Sequence, residues 1–151
     1  MAVVELETFI RAPAAACFDA ARDISLHAEG FTTPLPHRPV AGVTSGLINL
    51  GEEVTWEGKF FGIRQRMTSR IVAFERPRTF TDEMRRGPFR AWRHTHHFEP
   101  RDGGTLMRDR VEFASPLGPL GALFDLLYLK SFVRRFLLAQ NGRIREVLEN
   151  N

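Results

Sequence analysis

From Gly51 to Phe113 the chain alternates apolar and polar residues in runs broken by turn residues; after Pro116 the apolar period changes to three or four and holds to Val147. Period two belongs to strands with one buried face, and the longer period to a helix with an apolar stripe. A sheet with one apolar face must be covered, and only the closing helix is large enough to cover it. The pattern predicts an α+β domain in which a curved antiparallel sheet of about seven strands wraps a long C-terminal helix.

The earlier residues fill in this plan. Residues 3–11, VVELETFIR, read as the first strand. Pro13 suits the first turn of a helix over AAACFDAARDIS, with Ala16, Phe18 and Ala21 available for packing, and a second short helical turn follows. The prolines of FTTPLPHRP predict a loop without regular structure. VAGVTSG is a short strand entering a glycine-punctuated loop. GEEVTWEGKFFGIRQRMTSRIVAFERP is a long hairpin turning near Phe61-Gly62, with Val54, Trp56, Gly58 and Phe60 on one face and Glu53, Thr55, Glu57 and Lys59 on the other. RTFTDEM, FRAWRHTHHFE and TLMRDRVEF are three further strands joined by RRGP and PRDGG, the second a strong turn at Asp102-Gly103-Gly104. The helix starts near Pro119 and turns Ala122, Leu126, Leu129, Val133, Phe136, Gln140, Ile144 and Val147 to one side. Gly142 costs about 1 kcal/mol relative to alanine in a helix interior, which predicts a kink or break at Asn141-Gly142.

The 151 residues are 43% hydrophobic, which suits one domain over residues 1–151. A lone cysteine, Cys17, allows no internal disulfide and agrees with a reducing, cytoplasmic setting. Glu5 and Glu7 interrupt the apolar core that a signal peptide needs. LFDLLYLKSFVRRFLLA is too short and too charged, through Asp125, Lys130, Arg134 and Arg135, for stable membrane insertion. Its apolar surface has two readings: a contact with a second copy or a membrane surface, or a helix buried on two sides. The sequence pI is about 9.7, with nineteen arginines against two lysines, twelve of those arginines between Arg64 and Arg110. They alternate with apolar residues, so they read as a solvated sheet face paired with Glu53, Glu57 and Glu112, and not as a nucleic-acid surface. RMTSR and RRGPFR lack the alternating aromatic platform of a single-strand binder. GVTSGLINLG lacks the Gly-Lys-Ser/Thr end of a phosphate-binding loop and reads as a loop near the mouth of a pocket.

The element order, with FIRAPAAACFDAARD, VAGVTSGLINLGEEVTW, FTDEMRRGPFRAWRHTHHFEP, GGTLMRDRVEFASPLGPLG and the closing helix, resembles the SRPBCC superfamily of START, pollen-allergen and polyketide cyclase/dehydrase-type helix-grip proteins. The resemblance covers nearly the whole chain. It implies a cavity under the C-terminal helix for a lipid, a polyketide or another hydrophobic small molecule, and no single chemistry, since carriers, sensors and enzymes share such a fold. No cofactor is implied.

The segment AWRHTHHFEP holds three of the five histidines. On a strand, Trp92, His94, His96 and Phe98 share one face and Arg93, Thr95 and His97 the other. The aromatic face is the inner one, so His94 and His96 point to the cavity and His97 to solvent. Phe80, Asp82 and Met84 point together, as do Met107, Asp109, Val111 and Phe113, and a hairpin register would bring Asp82 or Asp109 to a histidine. The predicted cavity wall is Trp56, Phe60, Met67, Phe80, Met84, Trp92, His94, His96, Phe98, Asp109, Leu126, Leu129 and Val133. The histidines admit three readings. His-x-His on a strand is a metal-ligand spacing, but no third ligand follows from spacing, and Glu99 comes too soon for a cupin-like motif, so no metal is assigned. A His/Asp pair in a dry pocket is also an acid–base device; here the candidates are His94, His96, Asp82 and Asp109, with no accompanying nucleophile. A buried polar network that fixes a ligand's polar head is the third, and the preferred, reading.

Overall fold

The structure, a computed structural model, describes residues 1–28, 37–60 and 62–150, with the side chain of Phe60 outside the description. Strand burial alternates as the sequence pattern requires: along β1 (Ala2–Ile10), Val4, Leu6, Thr8 and Ile10 are buried and Glu5, Glu7 and Phe9 exposed. Two short helices follow, α1 (Ala14–Ala21) and α2 (Ile24–Ala28), then β2 (His37–Gly42), β3 (Glu53–Phe60), β4 (Ile63–Glu75), β5 (Thr79–Arg86), β6 (Ala91–Arg101) and β7 (Gly104–Ala114). The seven strands form one antiparallel sheet in the order β1-β7-β6-β5-β4-β3-β2. The chain thus lays down one edge, crosses to the other through α1 and α2, and meanders back. Helix α3 (Gly118–Phe124) runs through a π-helical turn (Asp125–Leu129) into α4 (Lys130–Glu149), which packs on β1 and α1.

Three details differ from the sequence reading. Residues 37–39 of the proline-rich stretch are in β2, and its residues 31–36 lie outside the described residues. Pro39 is tolerated because β2 is an edge strand and its register with β3 shifts between Pro39 and Ala41, so the missing N–H breaks no central ladder. The helix is unbroken at Asn141-Gly142; its irregularity is the π turn. The inward positions run Gly121, Asp125, Leu129, Val133, Leu137 and Asn141, a strict step of four. That step drifts by about 40° per repeat on a 3.6-residue helix, and the extra residue of a π turn takes up the drift. Asp125 therefore occupies the inward place expected for Leu126, accepting hydrogen bonds from the backbone N–H and hydroxyl of Ser115. Leu126 stands outward, 66% exposed.

With Leu117, Leu120, Leu123, Leu127 and Tyr128, Leu126 makes an exposed apolar face on the first half of the helix. No helix of the described residues is long and apolar enough to cross a membrane.

The outer sheet face carries cross-strand ion pairs: Arg70 with Glu53 (2.7 Å), Arg66 and Arg38 with Glu57 (2.9 and 3.0 Å), Arg108 with Glu7 (2.8 Å) and Arg110 with Glu5 (3.0 Å), while Arg110 also lies 3.5 Å from Glu112. Glu57 is itself buried beneath its two arginines; the exposed pairs contribute about 0–1 kcal/mol each, and their effect is to fill a wet face with alternating charge.

The inner face holds two apolar clusters. One gathers Ile10, Phe18, Ile24, Ile48, Ile71, Phe80, Phe98, Met107 and Ile144; the other Val4, Leu6, Val111, Phe113, Leu129, Val133 and Leu137. Phe18 of α1 meets Phe74, Phe80 and Phe98 with ring centroids 5.1–5.3 Å apart, a geometry in which aromatic pairs attract beyond simple burial.

Strand β7 begins hard against the end of β1: a β-carbon on Gly104 would lie 2.2 Å from the Ile10 carbonyl oxygen. Gly104→Ala is therefore expected to destabilise the fold by about 1–3 kcal/mol through forced backbone displacement, read as a lower urea midpoint at unchanged slope.

Candidate functional site

The two clusters are separated by a polar seam built from one level of several elements. On β6 the inner face reads Trp92, His94, His96, Phe98; on β7 Met107, Asp109, Val111; on β1 Leu6, Thr8, Ile10; and on α4 Leu137, Asn141, Ile144. In each the polar residues lie between members of the two clusters. The strand register places His96 opposite Asp109 and His94 opposite Asp82. The hydrogen bonds cross these pairs diagonally, which long side chains on a twisted sheet can reach. Nε2 of His94 donates to Oδ1 of Asp109 at 2.7 Å, and Nε2 of His96 lies 3.2 Å from Oδ2 of Asp82. Nδ1 of His96 is 3.5 Å from Oδ1 of Asp109. The two imidazoles stack with centroids 3.7 Å apart, and His96 stacks in turn on Phe80 at 4.1 Å.

Asp109 is 3% exposed and is held from the helix side as well: Nδ2 of Asn141 donates to its Oδ2 at 2.6 Å and lies 3.2 Å from Oγ1 of Thr8. Burial alone would raise the Asp109 pKa, but the His94 hydrogen bond and charge, with His96 and Asn141, hold it below the ordinary carboxylate value. Burial works against a charged His94 ring; the Asp109 hydrogen bond and charge, with Asp82 adding, outweigh it and hold His94 above its ordinary value. Burial and the neighbouring His94 push His96 the other way, below its ordinary value. Two adjacent imidazoles are thus driven apart in acidity by their surroundings.

A cavity of about 200 Å³ opens against this seam. Of the residues expected on its wall, Trp56, Met67, Phe80, Trp92, His94, His96, Leu129 and Val133 line it, as does Asp82. Asp109 and Phe98 lie behind the wall, one under His94 and the other in the apolar core; Met84 does not line it, and Leu126 faces away across the helix. Phe60 falls outside the described side chains. The sequence reading missed Ile48, His27, Phe132, Phe136 and Gln140, all of which line the cavity. Phe136 and Gln140 were on the stripe assigned to the helix, but Ile48 sits in the glycine-rich loop, where no periodicity marks an inward residue. Asp82, His94 and His96 also form a compact ligand set: one ligand atom from each lies within 4.8 Å of the others. The third group that spacing could not supply comes from β5.

His27 also lines the cavity. Its Nε2 donates to the Ala21 carbonyl at 2.6 Å, so Nδ1 accepts from Gln140 Nε2 at 3.0 Å. Burial, opposed by the Ala21 hydrogen bond and aided by the charges of His96 and His37, pushes its pKa down from 6.5 to about 4.

Two stability effects are expected. Asn141→Ala removes one donor from a buried carboxylate and should cost about 1–3 kcal/mol, measured by urea unfolding. For His27, the unfolded chain takes up a proton near pH 6.5 while the folded chain resists until about pH 4. Stability present above pH 6.5 is therefore lost as pH falls through that window. The ring retains some exposure, so we expect a loss of roughly 1–3 kcal/mol. His27→Gln should flatten this part of the curve in denaturation series at successive pH values.

Comparison with known proteins places this geometry in context. The family model described as polyketide cyclase / dehydrase and lipid transport matches residues 1–149. No curated protein matches the sequence significantly. Among solved structures, TTHA0849 from Thermus thermophilus is similar at a TM-score of 0.72 and 18% identity, over 95% of this chain and 97% of that one. A START superfamily protein from Mycobacterium smegmatis is similar at 0.72 and 12% identity, over 98% and 97%. The major latex-like protein 151 from Panax ginseng is similar at 0.67 and 14% identity, over 97% of each.

Proposed function

The chain belongs to the polyketide cyclase / dehydrase and lipid transport family, and from that premise we propose that it binds a compact hydrophobic small molecule between its sheet and its C-terminal helix, with the ligand's polar head against Asp82, His94 and His96. The observation that carries this reading is the cavity itself: mostly apolar walls from the sheet and α4, with Asp82, His94 and His96 together on the β5–β6 part of the wall. A few well-placed polar groups in an apolar pocket orient a ligand while burial supplies affinity, at roughly 25 cal/mol per Å² of apolar surface. The enclosed volume favours an aromatic or compact polyketide-like molecule over a long acyl chain, since a dry cavity of about 150 Å³ holds a benzene ring.

The His94–Asp109 pair favours a second reading in the same cavity, acid–base catalysis of the cyclisation or dehydration type. A carboxylate fixes the tautomer and orientation of a buried imidazole at 2.7 Å, and the adjacent His96 is shifted in the opposite direction. Two adjacent rings whose acidities are shifted in opposite directions offer an acid and a base for an enolisable carbonyl. The arrangement offers no nucleophile, so a covalent route has no support.

The two readings separate experimentally. An apolar fluorescent probe should bind in the cavity and quench Trp56 and Trp92. Val133→Phe, which fills the cavity, should weaken it by roughly tenfold or more, while His94→Ala and His96→Ala leave it within a few-fold. Unchanged probe affinity in Val133→Phe sinks the cavity reading. Catalysis instead predicts turnover of a polyketide-like substrate with an apparent pKa near neutrality, abolished in the double histidine variant.

A further inference from the structure

We propose that Asp82, His94 and His96 form a binding site for one divalent first-row transition metal ion, of the zinc class, at the polar side of the cavity. This goes beyond the binding reading and stands without it.

The geometry comes first. Two imidazoles at i and i+2 on the inner face of β6, and a carboxylate from the paired strand β5, converge with one ligand atom each inside a 4.8 Å set. Tetrahedral zinc with nitrogen and oxygen ligands at 2.0–2.2 Å needs those atoms about 3.4 Å apart, so the 4.8 Å set must close by up to about 1.4 Å. The short span between Asp82 and His96 is already 3.2 Å. Asp82 is the least enclosed member, its side chain 20% exposed against 11% for His96, so it has room to swing in. Three protein ligands leave a fourth position open, and that position faces the cavity.

Beneath the ligands stands the support that metal-bound histidines use. Asp109 accepts from His94 and is itself held by Asn141; a carboxylate behind a ligating imidazole fixes its orientation and raises its basicity. Nitrogen-rich sets with one carboxylate suit zinc, cobalt, nickel or iron in preference to magnesium or calcium.

The test uses the untagged full chain, stripped with chelator and titrated with Co(II), followed by displacement with Zn(II). We expect one equivalent to bind, with visible absorption of the intensity that four- or five-coordinate Co(II) gives. Asp82→Asn, an isosteric change at the partly exposed ligand, and His96→Gln should each weaken binding by roughly a hundredfold or more, and Asp109→Asn by about 10–100-fold. Melting curves of each metal-free variant identify any that fails to fold, and Asp82→Asn remains the deciding one. No saturable binding, a six-coordinate aquo-type spectrum, or affinity unchanged in Asp82→Asn overturns the proposal. Probe binding to the metal-free protein reports on the cavity separately, so failure of one reading leaves the other distinguishable.

Discussion

A carboxylate with 3% exposure in the middle of an apolar interior is the constraint around which this fold is arranged. Asp109 can stay ionised there only if its lone pairs are met by donors, and those donors come from different elements: His94 on β6 and Asn141 on α4. Deleting the Asn141 donor costs about 1–3 kcal/mol, whereas apolar contacts alone would tolerate the helix sliding by a residue. The seam therefore fixes both the distance and the axial position of α4 over the sheet. It also splits the interior into two apolar clusters that do not merge, and the cavity lies where the seam meets them.

The cavity follows from how the sheet is covered. Helix α4 packs on β1 and α1, so the end of the sheet formed by β1 and β7 is closed by direct contact. The far end, β2 to β5, is met by the short helices instead: Phe18 of α1 packs on Phe74 and Phe80, and α2 lies against β2. Register shifts within the β4–β5 pair, between Thr68 and Ser69 and between Ile71 and Ala73, mark the irregularities at which such a sheet bends. Trp56, Met67, Ile71 and Phe80 from that curled end face Phe132, Val133 and Phe136 across open space. Covalent order reinforces this: β1 and β2 are opposite edges, so α1, α2 and the 43–52 loop must close one end of the gap, which Ile48 does with 2% exposure.

Period-two alternation was enough to read the inward faces of β6 and β7, and hence that His94, His96 and Asp109 share the inner surface of the sheet. It could not set the register, because sliding a strand by one pair of residues preserves every face; only the fold shows that Asp82 meets His96 diagonally and that Asp109 serves His94. The sheet, the long helix and the two short helices were legible because each rests on many residues. The helix phase was not, since the π turn adds one residue without any local signature: Gly121 and Asp125 take the inward places expected of Ala122 and Leu126, and beyond Leu129 the residues Leu137 and Asn141 are buried more fully than Phe136 and Gln140. Pro39 misled for a different reason: proline excludes a central strand, and nothing local tells that β2 is an edge. Phe98 and Met84 share a face with cavity residues yet sit off the cavity, because a face is longer than the gap it borders.

Whether the polar side of the cavity carries a proton or a cation changes what it can recognise. Without a cation, the Asp82 carboxylate on the cavity wall would favour a ligand that brings hydroxyl or amine donors. With a divalent ion held by Asp82, His94 and His96, the same groups present an electrophilic centre to the cavity. That centre takes carbonyl, enolate or phenolate oxygen, the oxygens carried by polyketide-like and aromatic molecules, and it polarises a carbonyl without a separate proton donor. On the proposed binding reading, ligand preference would be set by the occupant of one small polar set, while the apolar walls remain the same in either state.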